Sequence, residues 1–193
     1  IRQPIEGYLL ADLGWGTSWA KSATISFWVK GSIAGTYGVC LRNNANTCGY
    51  QAYYYINNPN TWEYKTVYIP PVTSYTWETG SNRGVQVIWT YGSGTGAQST
   101  PSGAWTSNAA TGVTGQVYLI SNQGATLQLT GVQFEPGSVA TPFEYRPFGV
   151  ELQLCQRYFI AFGTPNLNQY VHLGIGAVYS STAVNIAVAL PVA

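Results

Sequence analysis

Ala23-Thr24-Ile25-Ser26-Phe27-Trp28-Val29-Lys30 decides the fold. Ala23, Ile25, Phe27 and Val29 fall on one face of an extended chain, and Thr24, Ser26, Trp28 and Lys30 on the other. Successive side chains of a strand point to opposite faces, so this is the signature of a strand with one buried side. The pattern recurs at 36–42, 50–57, 63–69, 84–91, 116–121 and 126–135. Turn signals separate these stretches, among them Asn57-Asn58-Pro59-Asn60, Pro70-Pro71, Gly80-Ser81-Asn82 and Asn122-Gln123-Gly124. No 3.6-residue period precedes residue 149. Short strands at this spacing predict an all-β fold, an antiparallel jelly-roll β-sandwich over residues 1–147.

Two stretches interrupt the alternation. Residues 92–115 form a Gly/Ser/Thr/Ala loop with one large side chain, Trp105, expected either to serve function or to be pinned by that anchor. Residues 7–20 allow one helical turn, with Trp15 and Trp19 expected to plug an end of the sandwich. After Pro147, the pattern of Val150, Leu152, Leu154, Cys155 and Tyr158 fits helix and strand equally. Glu151 near its start and Arg157 near its end favour a short helix. Tyr170-Val171-His172-Leu173-Gly174-Ile175-Gly176-Ala177-Val178-Tyr179 and residues 183–192 read as strands. The second unit, 148–193, is thus expected to be a short helix plus the start of a β segment. It is too small to bury a core alone, and so is incomplete or completed by neighbouring chains.

Composition narrows the function classes. Charged residues make up 8% of the 193, against about a quarter in a typical domain, and aromatics reach 15%. The basic residues are scattered singly and the formal net charge is +1, which argues against nucleic acid as a partner. No run of 18 apolar residues spans a membrane. The chain opens on Ile1-Arg2-Gln3-Pro4 without Met or a signal-peptide pattern, so a piece of a longer polypeptide is expected.

Glycoside hydrolysis needs two carboxylates facing each other across a cleft. The seven acids (Glu6, Asp12, Glu63, Glu78, Glu135, Glu144, Glu151) are unpaired in sequence, and the single His172 has no Ser, Cys or acid beside it. No catalytic residue is therefore assigned and the chain is read as a non-enzyme. A depolymerase using Glu63 or another acid stays the outside alternative. Cys40 and Cys48 flank the loop Leu-Arg-Asn-Asn-Ala-Asn-Thr, which allows a cross-strand disulfide, with two reduced, partly buried thiols as the alternative. Cys155 is read as a small buried residue. If 50–57 and 63–69 pair as a hairpin, Tyr53, Tyr55 and Tyr68 share one outward face. Such a face serves either as a subunit interface or as a platform for stacking sugar rings.

One joint is more specific than the alternation. Residues 131–159, Gly-Val-Gln-Phe-Glu-Pro-Gly-Ser-Val-Ala-Thr-Pro-Phe-Glu-Tyr-Arg-Pro-Phe-Gly-Val-Glu-Leu-Gln-Leu-Cys-Gln-Arg-Tyr-Phe, end one β domain and hand the chain on. The joint resembles that of bacteriophage tail-fibre and other virion appendage proteins, where a carbohydrate-binding-module-like sandwich ends just before a Leu-Cys-Gln-Arg-Tyr segment. Gln3-Pro4-Ile5-Glu6-Gly7-Tyr8, Ala11-Asp12-Leu13-Gly14-Trp15-Gly16-Thr17, Ile25-Ser26-Phe27-Trp28-Val29-Lys30, Asn60-Thr61-Trp62-Glu63-Tyr64-Lys65-Thr66-Val67 and Gly124-Ala125-Thr126-Leu127-Gln128-Leu129-Thr130-Gly131-Val132-Gln133 extend the likeness over residues 3–160. The resemblance implies a jelly roll in a virion fibre or spike that meets the host surface, as a homotrimer among other virion proteins; with the outward tyrosines, host cell-surface polysaccharide is the expected contact. It implies no catalytic residues. In many such modules the first and last strands lie side by side and share a structural calcium, which would fall to Glu6 and Glu135, with ordinary edge-strand carboxylates as the alternative. Cysteine at 40 and 48 departs from the pattern, and Leu190-Pro191-Val192-Ala193 is similar to the middle of such a C-terminal domain, as in a truncated chain. A carbohydrate-binding module of a bacterial polysaccharide-degrading enzyme would present the same sandwich, but as a monomer.

Overall fold

A computed structural model describes residues 1–159, 176–181 and 183–186. In chain order the elements are β1 (Arg2–Glu6), a 3-10 helix (Gly7–Leu13), β2 (Ala23–Gly31), β3 (Gly35–Asn43), β4 (Gly49–Ile56), β5 (Glu63–Ile69), β6 (Arg83–Thr90), β7 (Gln98–Ser99), β8 (Gly112–Val113), β9 (Leu127–Pro136), α1 (Phe148–Gln156), β10 (Gly176–Ser180) and β11 (Ala183–Ile186). They divide into two compact units, Ile1–Phe143 and Glu144–Ala193.

The first unit is an antiparallel sandwich. One sheet runs β1-β6-β3-β4 and the other β5-β2-β9. Apart from the β3–β4 hairpin, each connection between long strands changes sheet, as in a jelly roll. The alternation of β2 has its predicted meaning: Ala23, Ile25, Phe27 and Val29 are all fully buried. Phe27 meets Tyr54 and Trp89 of the opposite sheet edge-on, at 5.2 and 5.8 Å between ring centroids, the packing that ring quadrupoles favour.

The expected hairpin between 50–57 and 63–69 does not form. β4 belongs to the four-stranded sheet and β5 to the three-stranded one. The turn between them docks on the end of β2, with the Asn60 amide donating to the Gly31 carbonyl at 2.7 Å and Asn60 at φ +57°. The chain therefore crosses between sheets instead of returning along β4. The strand expected at 116–121 is also absent. Only the Val117 amide bonds to β3, at Thr36, before a 3-10 turn over Leu119–Ser121 that buries Leu119 in the core.

Loop 92–117 lies over the outer face of the four-stranded sheet. Val113 is fully buried with Cys40 and Ile88. A Cβ on Gly38 would stand 3.0 Å from the Val113 side chain, so a residue without one lets the loop lie close. Gln51 donates to the Asn108 and Ala110 carbonyls at 3.0 and 3.4 Å, and Thr90 Oγ1 donates to the Thr111 carbonyl. Trp105 is the anchor expected: its ring packs against Trp15 and Trp77, each at 5.2 Å, and its indole N–H donates to the Pro70 carbonyl. Trp15 is buried as expected, but Trp19 is 58% exposed and plugs nothing.

Cys40 and Cys48 are both free and fully buried, so the disulfide is not made. The register gives the reason. Cys40 stands opposite Gln51 on the loop-covered face, whereas Cys48 lies across from Asn43, on the parity of Leu41 and Tyr50, which point into the core. Asn43 organises the Asn-rich loop: its side chain accepts from the Thr47 and Cys48 amides and donates to Thr47 Oγ1 and the Thr76 carbonyl. Burial pushes both thiols up to about 12. Cys155, expected to be buried, is exposed on α1. Since the thiolate is the reactive form, a thiol reagent near pH 8 is expected to modify Cys155 rapidly in the native protein, and Cys40 and Cys48 only after denaturation. Peptide mapping of the labelled sites checks this.

The second unit contains α1, which meets the expectation of a short helix, and the antiparallel pair β10–β11. Val150, Leu152 and Leu154 of α1 are each more than 40% exposed. Arg146 pairs with Glu144 at 3.2 Å and with Glu151 at 3.8 Å, exposed contacts worth little. His172 and the predicted strand residues at 170–175 and 187–192 lie outside the described residues.

Candidate functional site

The three tyrosines singled out in the sequence do not share a face. Tyr53 and Tyr55 lie on the outer side of the four-stranded sheet, 6.4 Å apart between rings, and the Tyr53 hydroxyl donates to the Thr114 carbonyl of the covering loop at 3.3 Å. Tyr68 is on β5, in the opposite sheet. Separate sheets follow directly from the crossing at residues 57–60.

A different aromatic group forms around Tyr68. Cross-strand register on the outer face of β5-β2-β9 sets Tyr68 beside Thr24 and Glu135, Thr66 beside Ser26 and Gln133, and Tyr64 beside Trp28 and Thr130. Lys30 continues the row on β2, with its ammonium 5.4 Å from the centre of the Trp62 ring. Trp28 and Tyr64 rings are 5.5 Å apart. Trp62, Trp28, Tyr64 and Tyr68 are between 41% and 48% exposed. Large rings half out of water on a rigid sheet, with the exposed Thr66 and Thr130 beside them, can stack on the apolar faces of sugar rings while these hydroxyls hydrogen-bond to the sugar. Tyr64 and Tyr68 are four residues apart on one strand, about 13 Å by the rise of an extended chain. That span suits a polymer better than a single ring.

The chain after β9 borders this face. Thr24 Oγ1 donates to the Gly137 carbonyl at 2.8 Å, and Glu135 accepts from the Thr141 amide and hydroxyl at 2.9 and 2.6 Å. The return strap covers Thr24, which is only 2% exposed on the side expected to face solvent, and Ser26, between Thr66 and Gln133, is equally buried. A Cβ on Gly131, at φ +56°, would stand 3.3 Å from Trp28 and 3.9 Å from Phe143, so the glycine leaves the two rings room on either side of it.

Glu6 and Glu135 do not make the shared calcium site. Glu6 ends β1, which pairs with β6, whereas Glu135 is on β9, paired with β2 in the other sheet. Both Glu135 oxygens are engaged by Thr141, with Gln133 Nε2 a further 3.1 Å donor. Calcium needs six or more oxygen ligands, and among the described residues no group of three acidic, His or Cys side chains could hold a metal. The donor set does not fit the ion.

Glu63, the acid singled out for cleavage, is instead a turn clamp. It accepts from the Asn57 amide at 2.8 Å, the Asn58 amide at 2.7 Å, Asn57 Nδ2 at 3.0 Å and Lys65 Nζ at 2.7 Å. The Lys65 and amide donors hold its carboxyl at about 2, far below the range of a proton donor. A carboxyl whose folded value is depressed stabilises above its unfolded value and loses that contribution as the pH falls through the folded one. Glu63→Gln is therefore expected to melt lower than wild type at pH 7, with the gap closing between pH 4.5 and about 2. Thermal melts of both proteins across that window check it; a constant gap would contradict the clamp.

Comparison with protein-family models, curated proteins and solved structures returns no match. No helix among the described residues is long and apolar enough to cross a membrane. The face is thus read from its own chemistry. Alternation alone places Trp28 on the outer side of β2, and its neighbour Tyr64 carries the same signal on β5. What alternation lacked was the register that puts the two rings together.

Proposed function

We propose that this chain is a non-catalytic structural and adhesive module of a bacteriophage virion, in a tail fibre, spike or capsid-attached fibre, and that it grips host surface polysaccharide. The observation that carries the binding reading is the aromatic row Trp62, Trp28, Tyr64 and Tyr68 on the outer face of the three-stranded sheet. The virion assignment rests on the resemblance of residues 3–160 to phage appendage modules. Exposed Val150, Leu152 and Leu154 on α1 favour an assembly in which neighbouring copies cover these side chains, and the resemblance makes that assembly a trimer. Repetition on a particle then multiplies weak contacts. The same row favours, as second reading, a carbohydrate-binding module of a polysaccharide-degrading enzyme.

Affinity electrophoresis of the full chain in gels containing purified bacterial capsule, xylan or β-glucan tests the binding, and light scattering tests the assembly. Retardation together with a mass of three chains is expected. Retardation as a monomer would favour the enzyme-attached module. No retardation in any of these gels counts against the glycan reading, and release of sugar from the capsule would overturn the non-catalytic one.

A further inference from the structure

A second site lies away from the sheet face, where the 3-10 helix of residues 7–13 meets the connection between β5 and β6. It is a cleft of about 140 Å³ lined by Leu10, Trp15, Thr17, Trp19, Trp77 and Glu78, among others. Two of its three indoles are fixed in orientation. The Trp15 N–H donates to the Lys21 carbonyl at 2.9 Å and the Trp77 N–H to the Ser74 carbonyl at 3.2 Å, and their rings meet edge-on at 4.8 Å. Trp19 is held over Gly14, where a Cβ would come within 2.1 Å of the ring and where φ is +57°. Only glycine tolerates both conditions. The result is a large indole kept at the surface without being buried.

The charge lining this cleft has one sign. Glu78 is among its residues, and no Lys or Arg is. Glu78 Oε1 accepts from the Gly80 amide at 2.9 Å, which fixes the carboxylate, while Oε2 has only a 3.5 Å approach from Asn82 Nδ2 and keeps acceptor capacity. Indole faces carry the negative part of the ring quadrupole and attract cations. An anion would be repelled by the carboxylate. The volume lies below the range of pockets that hold drug-sized ligands, which limits the occupant to a small group. We propose that this cleft binds an alkylammonium group, with the tryptophans contacting its methyl or methylene surface and Glu78 balancing its charge. The site is independent of the glycan reading of the sheet face.

Tetramethylammonium and choline, titrated into the full chain and followed through the tryptophan indole resonances, test this. 3,3-Dimethylbutan-1-ol, an uncharged analogue of choline with the same shape, serves as control. Saturable shifts of the Trp19 and Trp77 indoles are expected with both cations, and binding of the neutral analogue roughly tenfold weaker. Trp19→Ala and Glu78→Gln should each weaken choline severalfold, at an unchanged melting temperature, because Trp19 is exposed and glutamine can still accept from the Gly80 amide. Trp28→Ala, on the sheet face, should leave choline binding unaltered. Absence of saturable shifts, equal binding of the neutral analogue, or full affinity in Glu78→Gln would each overturn the proposal.

Discussion

Trp28→Ala is expected to reduce polysaccharide retention about tenfold or more while leaving the sandwich folded. The fold survives because Trp28 is 43% exposed, on the outer side of a strand whose core contacts are made by Phe27 and Val29. Binding suffers because Trp28 is the central ring of the row, next to Tyr64 at 5.5 Å and one step along β2 from Lys30 beside Trp62. Truncating a central aromatic contact typically costs 2 kcal/mol or more, and about 1.4 kcal/mol already corresponds to tenfold. Tyr64→Ala should weaken binding less, and the double variant should lose less than the sum, since touching residues couple. Tyr53→Ala and Tyr55→Ala, on the other sheet, should not matter. Affinity electrophoresis of the five variants checks this pattern; equal retention of Trp28→Ala and wild type would remove the face from consideration.

That control pair marks where sequence reasoning stopped. Alternation told which side chains of one strand lie together, and for β2 it was right at Ala23, Ile25, Phe27 and Val29. It carries no information on which sheet a strand joins. The 57–60 turn looked like a hairpin because Asn and Pro suit reversals of any kind. Its destination depended on the Asn60 amide finding Gly31 and on Glu63 closing over Asn57 and Asn58, contacts invisible before the chain is folded. The same limit applied to the cysteines. Eight positions apart around an Asn-rich loop suggested opposition, but Cys40 opposes Gln51, and Cys48 has the other parity. Trp28 was legible as an outward ring, yet its importance depended on the register with β5. The return strap bonded to Thr24 had no sequence signal beyond the prolines that punctuate it.

Trp105→Ala is expected to destabilise the first unit by about 3 kcal/mol, the lower end for truncating a large core aromatic, because the ring packs on the core but is only partly buried. The ring stands at a three-way junction. It meets Trp15 and Trp77 edge-on and lies 5.6 Å from Tyr50, so its removal leaves unfilled space among rings contributed by the 3-10 helix region, the β5–β6 connection and β4. Its N–H also satisfies the Pro70 carbonyl at 2.8 Å, which truncation leaves without that donor. For a domain of this size the loss corresponds to a melting shift on the order of 10 °C. Trp19→Ala provides the contrast: the ring is exposed, so its loss should change the melt by less than about 0.5 kcal/mol. The loop itself should stay in place in Trp105→Ala, because Gln51 and Thr90 hold residues 108–111 from the sheet side. Cys40 should then remain protected from thiol reagents until global unfolding. Rapid labelling of Cys40 in the folded variant would mean that Trp105 alone holds the loop down, and equal melts of Trp105→Ala and Trp19→Ala would mean that the three-tryptophan junction contributes nothing to stability.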